Sequence, residues 1–324
     1  MVKLASAEMA EKKLATRAAF GATLAELAEE GVPVVAVDAD LTGSTTTKKF
    51  AAAAPENADK LFNCGIAEQN MIDVAAGLAL TGHVAYTGSF AVFGTGRAYD
   101  QIRNTVCYSN LDVKICPTHA GVSVGPDGGS HQMLEDVSLM RGLPNMRVLV
   151  PADYAAARAA IKLAAKTPGP VYVRMGRAAV PCVYDDDVEL ELGRAYVLRE
   201  GADATVVACG VEIREALAAA DALAAEGISI EVIDAFSVKP LDEGTITASV
   251  AKTGCCVVAE EHSVHGGLGS AVAECLARKN PAPCEFVGVE DRFGKSGEFE
   301  ELLGYFNLDA AAIVEAVKAA IARK

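Results

Sequence analysis

Apolar runs alternate with alanine-rich amphipathic stretches along the first half of the chain. Residues 11–30 place leucine and alanine at helical spacing and precede Gly31 and Pro33, which predicts a helix that ends there. The next run, 34–40, is apolar and ends in acids, as a buried parallel strand does. Four similar runs follow, at 83–88, 113–121, 146–153 and 170–176. Strands separated by helical segments predict crossover units and a parallel sheet.

The rhythm breaks at 177–203, where an acidic run and short alternating segments predict a linker with a hairpin. Strand-like and helical segments then alternate again up to a last predicted helix over 309–322. The pattern predicts an α/β protein of two domains, each a mostly parallel sheet with helices on both faces. The expected bounds are 1–180 for the first domain, 181–195 for the linker and 196–324 for the second domain.

The composition argues against a nucleic-acid-binding, membrane-spanning or secreted protein. The 324 residues are 51% hydrophobic and carry a net charge of −14, with no basic stripe of the kind that nucleic-acid binders show. No run of eighteen apolar residues predicts a membrane span, and the N-terminus lacks the apolar core of a signal peptide. The nine cysteines follow no pairing pattern. Reduced thiols in a cytoplasmic protein are therefore expected, with no membrane or nucleic-acid partner.

Polar residues that follow the predicted strands are the first candidates for a site. In open parallel sheets, ligands bind beyond the carboxyl ends of the strands. The polar or aromatic residues that follow the predicted strands are Asp38, Asp40, Thr42, Ser44, Ser89, Phe90, Thr118, His119, Arg174 and Arg177. Each of them alone could be a cap or a turn former. Their clustering at one predicted edge favours a binding site.

Two segments carry more specific signals. In 61–104, Glu68 lies near the start of a helix whose remainder is apolar nearly all round, so it is either a helix-end partner or a buried carboxylate. In 118–153, the loop GPDGGSHQ places Asp127 and His131 four residues apart among glycines that let backbone approach a ligand. A solvent-facing cap and a structural histidine are the alternative interpretations.

Three other patterns are weaker. The GKSG run at 294–297 lacks the upstream glycine of a phosphate-binding loop, and Arg97 follows no nucleotide-binding fingerprint. Residues 260–270 contain acids and two histidines, but their spacing is not that of a metal site. No metal site is therefore predicted on this chain.

An ordered series of motifs resembles the transketolase family, in particular the C-terminal half that some organisms encode as a separate gene. The series is GIAEQN with AAGLA, SFAVF with AYDQI, and DGGSHQ with LPN and VLVPAD. The likeness extends over essentially the whole chain, from residue 16 to residue 313. The resemblance implies a pyrimidine-binding domain for thiamine diphosphate, followed by a transketolase C-terminal domain.

The resemblance also implies roles for individual residues. Glu68 would be catalytic, bonding N1′ of the cofactor's aminopyrimidine, with Phe93 stacked on that ring and Phe90 beside it. His131, as a second catalytic residue, and Asp127 would bind sugar hydroxyls near the reacting carbon. The implied contacts to the sugar phosphate are Arg17, Ser44, His119 and Arg174.

The family's GDG motif, which holds the cofactor's diphosphate through a metal ion, does not occur in this chain. The resemblance therefore implies an N-terminal partner subunit that carries GDG and Mg²⁺, in an α₂β₂ assembly. The expected reaction is transfer of a two-carbon ketol unit between ketose and aldose phosphates, in the pentose phosphate pathway, by the two chains together.

Three alternatives share this architecture. The β subunit of 2-oxoacid dehydrogenase E1 lacks the THAG histidine together with DGGSHQ. Deoxyxylulose-phosphate synthase shares the DGxxHQ loop but carries arginine where His119 stands. A non-catalytic paralogue that binds thiamine is the third, and the joint presence of Glu68, Phe93, Asp127 and His131 argues against it.

Overall fold

Two mostly parallel sheets and one short antiparallel pair contain the strands of this protein, whose computed structural model describes residues 2–324. The strands are β1 Lys13–Ala15, β2 Val34–Asp38, β3 Leu61–Asn63, β4 Val84–Gly88, β5 Val113–Ile115, β6 Arg147–Leu149, β7 Val171–Val173, β8 Ala179–Pro181, β9 Tyr196–Arg199, β10 Ala204–Ala208, β11 Ile230–Asp234, β12 Ser237–Lys239, β13 Cys256–Ser263 and β14 Cys284–Val289.

Helices connect these strands and cover the sheets. The α-helices are α1 Ala7–Ala10, α2 Ala18–Glu29, α3 Thr42–Thr45, α4 Thr47–Ala53, α5 Pro55–Ala58, α6 Glu68–Leu80, α7 Tyr99–Gln101, α8 Asp136–Arg141, α9 Tyr154–Ala165, α10 Glu212–Ala225, α11 Glu243–Thr253, α12 Leu268–Lys279, α13 Phe299–Phe306 and α14 Ala310–Ala322. Two π-helical segments, Val92–Arg97 and Ile102–Tyr108, and one 3₁₀ segment, Val122–Asp127, complete the set.

The first sheet has seven strands in the order β12-β6-β7-β5-β4-β2-β3, and only β12 runs antiparallel to its neighbour. Every residue of β2 and β4 is buried, which explains why these strands show no polar alternation. The second sheet has the order β14-β13-β10-β11-β9, with β9 as its antiparallel edge. The prediction of two mostly parallel α/β sheets is confirmed.

The expected hairpin in 177–203 is wrong. β8 pairs with β1 and β9 pairs with β11, so each short strand finds its partner elsewhere in the chain. β1 also takes the first part of the helix expected over 11–30. The domain boundaries at 180 and 196 stay a prediction. Strand β12, which comes after the predicted linker in the chain, pairs with β6 of the first sheet.

Two of the sequence expectations concern cysteines and membranes. All nine cysteines are free thiols, and seven of them are buried. Among residues 2–324, every helix is too short or too polar to cross a bilayer.

Candidate active site at the carboxyl edge of the first sheet

Four neighbouring strands, β7, β5, β4 and β2, direct the candidate residues to one edge of the first sheet. A parallel bridge between Phe90 and Thr118 continues the pairing of β4 and β5 beyond their ends. It brings the ring of Phe90 to 3.8 Å from that of His119, centroid to centroid and nearly parallel. The two candidate residues that follow β4 and β5 therefore come together at one edge of the sheet, as the strand-end rule predicts.

Four rings meet at this edge and form what we call the aromatic cluster: Phe90, Phe93, His119 and His131. Phe90 and Phe93 lie 6.2 Å apart with an interplanar angle of 14°. His131 presents its edge to Phe93 at 5.4 Å. The cluster joins residues that the resemblance assigned separately to the cofactor and to the sugar.

The π-helical segment Val92–Arg97 sets the positions of Phe93 and Arg97. It follows Phe90 directly and carries both Phe93 and Arg97, four residues apart. The guanidinium carbon of Arg97 lies 4.7 Å from the centroid of the Phe93 ring. Isolated π turns recur at functional sites because they re-aim side chains within a helix.

Arg97 also pairs with Glu68, the first residue of α6. Arg97 Nη1 lies 2.8 Å from Glu68 Oε2, and the Glu68 side chain is 1% exposed whereas that of Arg97 is 48% exposed. The ion pair thus spans from the interior to the surface. The sequence around Arg97 has no nucleotide-binding fingerprint, so Arg97 was not predicted as a site residue. The signal in the sequence that could have identified it is its position four residues after Phe93.

These residues fit the aminopyrimidine of thiamine diphosphate. A buried carboxylate beside a flat ring suits a heterocycle whose ring nitrogen shares a proton. Within residues 2–324 no hydrogen-bond partner accompanies Glu68 Oε1, so one oxygen remains for a ligand. No group of His, Cys, Asp and Glu in the same part of the chain could hold a metal ion. The donor set around Glu68 and Phe93 therefore suits the ring of the cofactor.

An arginine pair, Arg17 and Arg177, lies near enough to His119 for its charges to act on the imidazole. Arg17 precedes α2 and donates from Nη1 to the backbone oxygen of Ser44 at 2.8 Å. Arg177 donates to the carbonyl of Val124 at 3.0 Å. Burial, followed by the positive charges of Arg17 and Arg177, lowers the pKa of His119 to about 3. His119 is therefore neutral at pH 7 in this chain and offers a hydrogen bond, not a charge, to an anion.

Arg174 does not fit the phosphate contact that the resemblance implied. Its Nε donates to Asp136 Oδ2 at 2.8 Å, and its Nη2 donates to the backbone oxygen of Glu261 at 2.9 Å. The side chain is 7% exposed and also faces the Glu261 carboxylate at 3.7 Å. Its Nε and Nη2 are committed to buried acceptors and the group is shielded from solvent, so Arg177, three residues later, replaces Arg174 as the candidate.

The loop 121–132, which we call the glycine-rich loop, presents Asp127 and His131. Gly125 and Gly128 adopt positive φ angles of 81° and 77°, which a residue with a side chain would adopt only with strain. Asp127 is exposed, and His131 is half-buried with Nδ1 2.9 Å from Ser130 Oγ. His131 therefore lies within the aromatic cluster, and Asp127 lies on the exposed part of the same loop.

Exposed apolar residues lie close to Glu68 along the chain. Ile66, two residues before Glu68, is 79% exposed, and Phe62 at the end of the sheet is 37% exposed. Exposed apolar residues beside a polar site are typical of a surface that another chain covers. The surface beside Glu68 is therefore open, and its exposed apolar residues suit a contact with another chain.

Comparison with known proteins agrees with this geometry. The chain matches the family described as "Transketolase, pyrimidine binding domain" over residues 12–183. It matches "Transketolase, C-terminal domain" over residues 193–313. The two matches lie in tandem and include the whole candidate site.

Several known proteins are similar along nearly their full length. A transketolase C-terminal section of Methanocaldococcus jannaschii is 44% identical over 93% of this chain and 94% of the relative. A 6-deoxy-6-sulfo-D-fructose transketolase subunit of Clostridium sp. is 42% identical over 93% and 92%. A solved split-gene transketolase, in an inactive β4 tetramer, is 49% identical with a TM-score of 0.87, covering 96% and 99%. This chain belongs to the transketolase family.

Proposed function

We propose that the chain is the C-terminal subunit of a two-chain transketolase that transfers a two-carbon ketol unit between ketose and aldose phosphates. The observation that carries this is the aromatic cluster: Phe93 lies beside the Arg97–Glu68 ion pair, and His119 of the same cluster lies near the arginine pair. A cofactor ring and an anionic sugar are two ligands that these groups suit. The reaction requires both at once.

Each side chain has a definable task in this reaction. When bound, thiamine diphosphate supplies the carbon nucleophile that attacks the ketose carbonyl. Glu68 holds a proton at N1′ of the aminopyrimidine, and Phe93 stacks on that ring while Phe90 supports it from the cluster. Asp127 and His131 bind the sugar hydroxyls next to the reacting carbon, and His131 also exchanges a proton there.

The anionic end of the sugar would be bound by Arg17, Arg177, Ser44 and neutral His119. Two guanidinium groups supply charge and directional donors, and the imidazole supplies a further hydrogen bond. The similar Clostridium subunit is named for a sulfonated sugar, which also has an anionic end. A local pair of arginines explains how a chain of net charge −14 takes such a substrate.

The second half of the active site belongs to a partner in this proposal. An N-terminal subunit with the GDG motif would hold the diphosphate through Mg²⁺ and cover the open face beside Glu68 and Ile66. The assembly would be α₂β₂, in the cytoplasm, and would serve the pentose phosphate pathway. The inactive β4 tetramer of the similar split-gene transketolase supports the need for the other chain.

The test is reconstitution from purified chains. Alone, this chain should transfer no two-carbon units from xylulose 5-phosphate to ribose 5-phosphate, and addition of the N-terminal subunit with Mg²⁺ and thiamine diphosphate should start turnover. Full transfer by the isolated chain would contradict the two-chain assignment. Condensation of pyruvate with glyceraldehyde 3-phosphate, without ketol transfer, would instead identify a synthase of the deoxyxylulose-phosphate type.

A further inference from the structure

A segment of the C-terminal domain, Arg292–Gly297, lies directly on the glycine-rich loop. A Cβ added at Gly128 would lie 2.3 Å from Ser296 Oγ, and one at Gly129 would lie 2.6 Å from the carbonyl oxygen of Gly294. A methyl group at Gly129 would meet backbone, so the two backbones touch there, while at Gly128 it would meet the Ser296 side chain. The GKSG run that resembled no phosphate loop is one half of this contact.

Gln132, the last residue of the glycine-rich loop, joins the two segments. Its Nε2 donates to the backbone oxygens of Lys295 at 2.9 Å, Val122 at 3.0 Å and Gly125 at 3.4 Å. These three carbonyl oxygens fix the orientation of the Gln132 carboxamide. If the carboxamide were rotated by 180°, Oε1 would face three oxygens and be repelled by them. Gln132 is 4% exposed, so the contact is sheltered from water.

The first residues of the same loop are held by the C-terminal domain as well. Glu261, at the end of β13, accepts a hydrogen bond from the backbone N–H of Ser123. A Cβ added at Gly121 would lie 2.2 Å from the carboxyl carbon of Glu261. Both ends of a loop with three positive-φ glycines are therefore fixed by a different domain.

We propose that the segment Arg292–Gly297 positions the glycine-rich loop for sugar binding, with Gln132 as the positioning residue through which it acts. This inference rests on the proposed function, because it concerns how Asp127 and His131 meet the sugar. A glycine-rich loop left free would populate many backbone conformations, and holding it removes that entropy before substrate arrives. The C-terminal domain, which supplies no residue to the cofactor ring in our assignment, thereby acts on the reaction.

Gly294→Ala is the most direct variant, because its Cβ would lie 1.8 Å from Gln132 Oε1. Gln132→Met is the second variant, since it keeps the side-chain volume and removes the donor, and it serves if Gly294→Ala fails to fold. Gly304→Ala in α13 is the matched control, because the nearest atom to its Cβ, Asp309 Oδ2, is 3.7 Å away. Thermal unfolding of each variant establishes that it is folded.

The first measurement is amide hydrogen exchange of the isolated chain, which needs neither cofactor nor partner. Peptides from 121–132 should exchange roughly tenfold faster in Gly294→Ala and Gln132→Met than in the wild type, with Gly304→Ala unchanged. Exchange within twofold of the wild type in both variants would overturn the proposal.

The second measurement uses the complex with the N-terminal subunit. The kcat/KM for the donor ketose should fall by about 10–100-fold, since a misplacement near 1 Å has effects of this size. Hydrogen exchange at C2 of thiamine, which depends on Glu68, should keep its rate. An equal loss of both would indicate general damage and overturn the positioning role, whereas a wild-type complex without turnover would contradict the proposed function instead.

A double variant tests the route through Gln132. In a Gln132→Ala background the clashing amide is gone, so Gly294→Ala should lower kcat/KM by less than twofold further. If Gly294→Ala lowers kcat/KM by the same factor in the Gln132→Ala background as in the wild type, the segment acts without Gln132.

Discussion

Arg97 contacts both Glu68 and Phe93, the two residues proposed to bind the cofactor ring. Its Nη1 lies 2.8 Å from Glu68 Oε2, and its guanidinium carbon lies 4.7 Å from the centroid of Phe93. A ring stacked on Phe93 would occupy the same face as the guanidinium. The side chain is 48% exposed, so it has room to turn away when the ring arrives.

Replacing Arg97 by Met should therefore strengthen the binding of thiamine diphosphate to the reconstituted complex. Half-exposed ion pairs contribute about 0–1 kcal/mol, so the expected gain is at most about fivefold. Isothermal titration calorimetry measures it, with Arg103→Met, an exposed arginine on the next helical segment, as control. Binding weakened tenfold would mean that Arg97 contacts the cofactor itself.

Glu68→Gln should abolish most turnover in the complex while the two chains still assemble. Loss of a group that holds a proton in the reaction lowers kcat by about 10²–10⁴-fold. Exchange of the thiamine C2 hydrogen should slow in parallel, which assigns the defect to cofactor activation. Asp73→Asn, an exposed acid on the same helix, is the control, and unchanged turnover in Glu68→Gln would remove Glu68 from its role.

The two arginines after β7 should behave in opposite ways. Arg177→Gln should raise the KM for phosphorylated ketoses about tenfold or more, with little change in thermal stability. Arg174→Gln leaves Asp136 without its buried counter-ion and should lower the free energy of unfolding by about 3–5 kcal/mol. Steady-state kinetics and chemical denaturation separate the two effects. A selective KM effect in a stable Arg174→Gln protein would restore the original assignment.

His119→Gln should raise the KM for sugar phosphates and leave unphosphorylated ketoses nearly unaffected. Because burial and two arginines lower the pKa of His119 to about 3, the residue contributes a hydrogen bond and not a charge at pH 7. The expected change is about 3–10-fold, the size of one neutral hydrogen bond. Equal losses with both classes of ketose would argue against a contact to the phosphate.

A buried acid in the second sheet makes stability depend on pH. Asp234 is fully buried and accepts a hydrogen bond from the Tyr184 hydroxyl at 2.6 Å. Burial raises its pKa from 3.8 to about 7. Between these two values the unfolded chain has lost the proton while the folded chain keeps it, so the contribution of Asp234 to stability falls as the pH rises from about 4 to 7.

Asp234→Asn removes that dependence. Relative to the wild type, the variant should gain on the order of 2 kcal/mol in the free energy of unfolding between pH 5 and pH 8. Urea denaturation of both proteins at the two pH values gives the difference. A constant difference across this range would mean that Asp234 does not titrate there.

Local pattern was enough to predict much of the fold and part of the site. Apolar runs and alanine-rich stretches report their own secondary structure, because the spacing of buried side chains is a property of each segment. The rule that parallel strands carry ligands at their carboxyl ends then placed Phe90, His119 and Arg177 at one edge. The hairpin expected in 177–203 failed because short strands pair with whatever edge the fold presents.

By itself, the sequence determined two α/β sheets, the edge where polar residues gather and, through its ordered motifs, the family. Only the tertiary structure shows which charged side chains are paired within the protein and which are available to a ligand. Arg174 meets Asp136 and Glu261 across 38 and 87 residues, Arg97 meets Glu68 across 29, and Gln132 meets Lys295 across 163. Such contacts leave no periodic trace, since they depend on how distant segments pack. Whether an arginine is a ligand or a buried counter-ion is settled by its surroundings in space.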